Sequence, residues 1–200
     1  MGGGSRGSVD LRRKRQTRRE NKRILIVAEG ERTEVQYFKG LADYLRASAV
    51  NVIDVKIKGA GGGNPLSIVN RAIEELKGGP SIGDRDGYDA VWCVFDVDQH
   101  AKMREAIVAA KREKFKLAIS NPCFEIWLLW HFCSCEKHVD STYLRRELRK
   151  HGIRSKKIPQ DFDFSLANAA IVRVKNTSSE MPANPGTGVV GLVSLLLEKQ

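Results

Sequence analysis

The stretch Ile24-Leu25-Ile26-Val27-Ala28 is apolar at every position, rich in β-branched residues, and stopped by Glu29-Gly30. A strand with one wet face alternates apolar and polar residues, so an unbroken apolar run describes a strand covered on both faces, as in parallel sheets packed between helices. The chain then repeats this theme. Thr33 can cap a segment in which Val35, Phe38, Leu41, Ala42 and Leu45 recur at helical spacing. A second strand, about 52–58, alternates Val52, Asp54 and Lys56 with Ile53, Val55 and Ile57, the pattern of a strand nearer an edge. Asn64-Pro65 opens a second helix that stops at Gly78-Gly79-Pro80. Tyr88 to Phe95 forms the third strand and runs into Asp96-Val97-Asp98, a helix spans about 101–114, and a fourth strand spans 116–120. Strands alternating with helices predict an α/β fold with a parallel four-stranded sheet flanked by helices.

The later segments read as helices. Asn121-Pro122 precedes a strongly apolar helix, Phe124 to Phe132, and more polar helices are predicted at 141–151 and 165–174. A last helix is opened by Asn184-Pro185, so that Asn64, Asn121 and Asn184 look like three uses of one capping device. Domain organisation follows: residues 24–135 form the α/β core and residues 136–200 a helical C-terminal extension packing on it.

Charge divides the chain differently. The net charge is +10, but residues 1–23 carry nine basic side chains against two acidic ones, leaving only +3 for the other 177 residues. This basic arm has no apolar stretch with which to bury surface, and it is expected to be disordered until it meets a polyanion. Arg12, Arg13, Lys14, Arg15, Arg18 and Arg19 are its candidate nucleic-acid-binding residues. No run of about 18 apolar residues suggests a membrane span and no apolar leader precedes the first strand, while four cysteines without a framework spacing fit a reducing cytoplasm. A homo-oligomer stays open.

The chemistry is read from where acids fall. Ligands of open α/β sheets bind beyond the carboxyl ends of the strands. If strands one and three are parallel neighbours, Glu29 reaches the same rim as Asp96 and Asp98, whose i, i+2 spacing on an extended segment points both carboxylates one way. Carboxylates so gathered repel one another unless a cation sits among them, and hard oxygen donors suit Mg²⁺ or Mn²⁺. Glu34 is either a further ligand or a first-turn acid favourable to the helix dipole. Glu125, an acid embedded in Phe124-Glu125-Ile126-Trp127, is read as functional. Ser120 and Asn121 are candidate phosphate contacts, with helix capping as the competing explanation, and His100 could assist a phosphate or leaving group, with surface solvation as its plainer role. Gly59 to Gly63 lacks the ending of a nucleotide-binding P-loop and reads as a loop over the rim. His131, Cys133, Cys135 and His138 lack the cysteine spacing of structural zinc sites, and Trp127 and Trp130 read as core.

Two sets of residues carry a resemblance. Ile24 to Glu34, followed by Val94-Phe95-Asp96-Val97-Asp98, resembles the signature motifs of the Toprim fold of topoisomerases, bacterial primases and overcoming-lysogenization-defect nucleases. Ser120-Asn121-Pro122-Cys123-Phe124-Glu125-Ile126-Trp127, His131-Phe132 and Asn184-Pro185-x-Thr187-x-Val189 resemble the RloB family, found beside restriction and phage-defence genes. The resemblance implies a Toprim-like core with Glu29 as general acid/base and metal ligand, Asp96 and Asp98 as Mg²⁺ ligands, and an ATPase encoded nearby as partner. The chain has no room for a strand-passage domain and no zinc ribbon, which disfavours a topoisomerase or a primase. The expected activity is a Mg²⁺-dependent nuclease or phosphodiesterase acting on DNA or RNA. The alternatives are a non-catalytic nucleic-acid-binding subunit of an ATPase complex and an enzyme acting on a small signalling nucleotide.

Overall fold

The computed structural model describes residues 22–47, 54–61, 63–97, 102–154, 157–177 and 181–198. The arm residues Arg12, Arg13, Lys14, Arg15, Arg18 and Arg19, together with Asp98 and His100, lie outside the described residues.

Four parallel strands come first: β1 (Arg23–Ala28), β2 (Asp54–Gly59), β3 (Ala90–Asp96) and β4 (Lys116–Asn121). They are connected through α1 (Thr33–Ala47), α2 (Pro65–Leu76) and α3 (Met103–Arg112). After β4 come α4 (Glu125–Phe132), α5 (Ser141–Lys150), a 3₁₀ turn (Phe164–Leu166), α6 (Ala167–Arg173), a short β5 (Gly186–Thr187) and α7 (Val189–Leu197). The sheet order is β2-β1-β3-β4-β5. Strands one and three are therefore the neighbours that the acidic rim required, and β2 sits at an edge. There Lys56 and Lys58 face Glu75 of α2 at 3.1 and 3.7 Å, charges that suit an edge strand.

The unbroken apolar run of β1 is explained by its two covers. Ile24, Ile26 and Ala28 face a core shared with α1, α4, α5, α6 and α7, while Leu25 and Val27 face a second core shared with α2 and α3. β3 divides in the same way, with Trp92 and Val94 on the first side and Val91, Cys93 and Phe95 on the second. Alternation is present in these strands, but both registers are buried, so polarity cannot mark it. Trp127 and Trp130 are both in the first core.

Two expectations are corrected. The sheet has five strands and is mixed, because β5 joins β4 antiparallel, pairing Ser120 with Thr187 and Asn121 with Gly186. The asparagine-proline device also works as a cap only once. Asn64 accepts a hydrogen bond from the Ser67 backbone N–H at 3.2 Å, whereas Asn121 donates through Nδ2 to Pro182 O at 2.9 Å. Asn184 pairs with both backbone groups of Val139, donating to its carbonyl at 2.8 Å and accepting from its N–H at 3.0 Å. The last two asparagines therefore tie the C-terminal segments to the sheet and to the chain after α4. Helices start later, at Glu125 and Val189.

Candidate functional site

Register gathers the acids. Ala28 of β1 pairs with Val94 of β3, and the Glu29 backbone N–H continues the ladder to Val94 O at 2.9 Å, so Glu29 leaves the sheet just where β3 reaches Asp96. The Asp96 backbone N–H then donates to Glu29 Oε2 at 3.3 Å. Glu34 stands one residue into α1, with its carboxylate folded back over Gly30, where a Cβ would overlap it. Glu125 is the first residue of α4. A cavity of about 330 Å³ is lined by Glu29, Glu34, Asp96 and Glu125 together with Gly30, Glu31, Arg32, Thr33 and Gly61. Gly61 belongs to the glycine loop, so its described part borders the rim.

Five carboxylates line this cavity, and four of them, Glu29, Glu34, Asp96 and Glu125, share an electrostatic signature. Burial pushes the Asp96 carboxyl well above the usual range, and Glu34, Glu125 and Glu29 push in the same direction against a hydrogen bond from the Phe124 backbone. Glu34 is raised as well, chiefly by burial, with Glu125 and Glu29 adding to it. Asp96 Oδ1 is buried and has no hydrogen-bond partner. A buried polar atom without a partner is uncommon and costly. Ligand atoms of Asp96, Glu125 and Cys123 lie within 4.8 Å of one another. Cys123 is held as a thiol, because burial and then Glu125 and Asp96 push its pKa up. The donors present are therefore carboxylate oxygens with a thiol beside them. That set fits a hard divalent cation such as Mg²⁺ or Mn²⁺.

The remaining candidates are placed elsewhere. Ser120 is buried, with its Oγ 2.8 Å from Thr187 Oγ1, and Asn121 is bound to Pro182, so both serve the β4–β5 junction and neither lines the cavity. His131 is buried between the Trp127 carbonyl, 3.0 Å from Nδ1, and the Tyr37 hydroxyl, 3.1 Å from Nε2. A carbonyl can only accept, so Nδ1 carries the proton and Nε2 accepts from Tyr37. Burial brings this imidazole down to about 4, and Cys133 is exposed. Glu31 and Arg32 at the cavity, and Cys123 beside Asp96 and Glu125, were not marked by sequence reasoning, and Thr33 was read only as a helix cap. Cys123 sits inside the Asn-Pro-Cys-Phe-Glu segment two residues before Glu125, which was the available signal.

No helix among the described residues is long and apolar enough to cross a membrane. No curated protein and no solved structure gives a match to the chain. A family model described as RloB-like protein matches residues 24–196, from the first strand through the last helix and across all five cavity acids. On that match the chain belongs to the RloB-like protein family.

Proposed function

We propose that the protein is a divalent-metal-dependent nuclease or phosphodiesterase acting on DNA or RNA, built on a Toprim-type catalytic core and working in phage defence or restriction-associated immunity with an ATPase encoded nearby. The observation that carries this reading is Asp96 Oδ1, buried without a partner among three further carboxylates. Such an arrangement is unfavourable in itself and is relieved by a cation. Asp96 and Glu125 would hold Mg²⁺ or Mn²⁺, with Glu34 completing the set and Glu29 at its edge. A bound ion of this kind neutralises the cluster, polarises a phosphoryl oxygen and lowers the pKa of water.

The chain's own residues do the rest. Asp96, last in β3, and Glu29, first beyond β1, are anchored by adjacent ladder positions and by the hydrogen bond between them, so their separation is set by the sheet and not by a loop. Glu29 is the residue to hold or move a proton at the reacting oxygen, since its carboxyl belongs to the same cavity but lies outside the closest ligand group. Arg32 and Thr33 add donors to the rim for phosphate oxygens. The basic residues of positions 1–23 would add a sequence-independent, salt-sensitive grip on backbone phosphates.

The test uses purified full-length protein with single- and double-stranded DNA and RNA, in EDTA, Mg²⁺ or Mn²⁺. Cleavage that requires the metal and falls at least about a hundredfold in Asp96→Asn is expected, since a catalytic ion contributes several kcal/mol. Cleavage unaffected by Asp96→Asn would refute the assignment. Binding without cleavage, weakened by removing residues 1–21, would favour a nucleic-acid-binding subunit of an ATPase complex.

A further inference from the structure

A second cavity, of about 140 Å³, adjoins the acidic one and shares Thr33 and Glu125 with it. Its other walls are Leu128, Leu148 and Ile153, with Arg145, Arg149 and Arg154 around them. Local structure explains the set. Arg145 and Arg149 are four apart on α5 and share a face, as Glu125 and Leu128 do on α4. Beyond α5 the chain turns back at Gly152, whose φ is +83°. The Ile153 N–H bonds to Leu148 O at 3.0 Å and the Gly152 N–H to Arg149 O at 3.2 Å, a Schellman ending that packs Ile153 on Leu148 and returns Arg154 to the arginine pair.

Charge pairing separates these arginines from their neighbours. Arg146 and Lys150, elsewhere on α5, are committed to Glu147 at 3.6 and 2.6 Å. Arg145 bonds to the Ser141 carbonyl at 3.2 Å, and among the described residues none of Arg145, Arg149 and Arg154 forms an ion pair. Three cations without carboxylate partners thus ring an aliphatic recess immediately beside the acidic cavity. A metal-held phosphate and an arginine-held phosphate would alternate along one strand across this boundary.

Resting on the nuclease reading above, we propose that this recess binds one unstacked nucleotide of a single-stranded substrate. Arg145 and Arg149 take the phosphate next to the one at the carboxylates, and Leu128, Leu148 and Ile153 take the sugar or base. A duplex presents phosphates on a convex surface and keeps its bases stacked inside, so it can use the arginines but not the recessed apolar floor. An unpaired nucleotide uses both.

Binding in EDTA tests this without cleavage. The anisotropy of short fluorescein-labelled oligothymidylate, oligouridylate and a DNA duplex is followed with the wild type, Arg145→Gln/Arg149→Gln and Arg149→Lys. The expected result is a preference for single strands that the double variant reduces about tenfold and that Arg149→Lys partly retains. The oligothymidylate and oligouridylate arms tell DNA from RNA. Equal loss on single and double strands would mean general electrostatics and would overturn the proposal, as would unchanged single-strand binding in the double variant. Arginine-dependent single-strand preference in a protein that never cleaves with Mg²⁺ or Mn²⁺ would uphold the recess and refute the nuclease.

Discussion

Asp96 opposes stability where it stands. Its folded-state pKa is raised by burial and by Glu34, Glu125 and Glu29, so the folded protein binds the proton more tightly than the unfolded chain does. The sign follows from linkage: without metal, stability is greatest below the unfolded carboxyl value of about 4 and is lost as pH rises towards the folded value. Thermal melts in EDTA should therefore show Tm falling as pH rises from about 4 to neutrality. Asp96→Asn should flatten that fall and raise the metal-free Tm at neutral pH, while cleavage is lost. A metal-free Asp96→Asn protein less stable than the wild type at neutral pH would mean that the carboxylate is compensated by a partner within the fold. A residue that costs stability where it stands, at the end of a central strand, is the pattern expected of a functional group.

Among the elements, the junction between β1 and α1 carries three of the five cavity acids, Glu29, Glu31 and Glu34. Glu29 is placed by the last rung of the β1–β3 ladder, and Glu34 by the first turn of α1, with Gly30 between them leaving room for the Glu34 carboxylate. That close approach, not backbone freedom, is what the glycine provides. The atom a Cβ would meet is the far end of a flexible side chain, so Gly30→Ala should fold with a stability within about 1 kcal/mol of the wild type. It should nonetheless lower metal affinity and cleavage by displacing Glu34, read by metal-dependent Tm shift and by rate. A loss of stability with metal response intact would show Glu34 to be only a helix-start acid. The β1–α1 junction was legible in the sequence because an apolar run, a Glu-Gly break and a helical period are all local patterns. The β4–β5 junction was not. A two-residue strand has no periodicity, and an asparagine before proline can cap a helix or, as Asn184 does with Val139, bridge two distant backbones.

At the scale of the whole molecule, the residues after 135 are part of the main core. Leu144 and Leu148 of α5, Ala167 and Ala170 of α6, and Val189, Leu192, Val193 and Leu196 of α7 are buried together with β1, β3, α1 and α4. Tyr37 of α1 meets Phe162 and Phe164 edge-on or tilted at 6.0 and 5.6 Å. A chain ending at residue 135 would expose the part of that core covered by α5, α6 and α7 and leave β4 as an edge, so it should show no cooperative thermal transition by circular dichroism, whereas residues 22–200 should melt as one unit. A cooperative melt of the short form would establish a self-sufficient α/β core. The alternation of strands and helices, the concentration of positive charge in residues 1–23 and the presence of acids at strand ends are each written in neighbouring residues. Three-dimensional packing was needed to bring Glu125 to Glu29, Glu34 and Asp96, to turn Ser120 and Asn121 towards β5 and the segment before it, and to stand three arginines from α5 and the turn after it beside the carboxylates. These are contacts between segments tens of residues apart, set by strand order and helix packing, and no local pattern of residue types records which distant surface a side chain will meet.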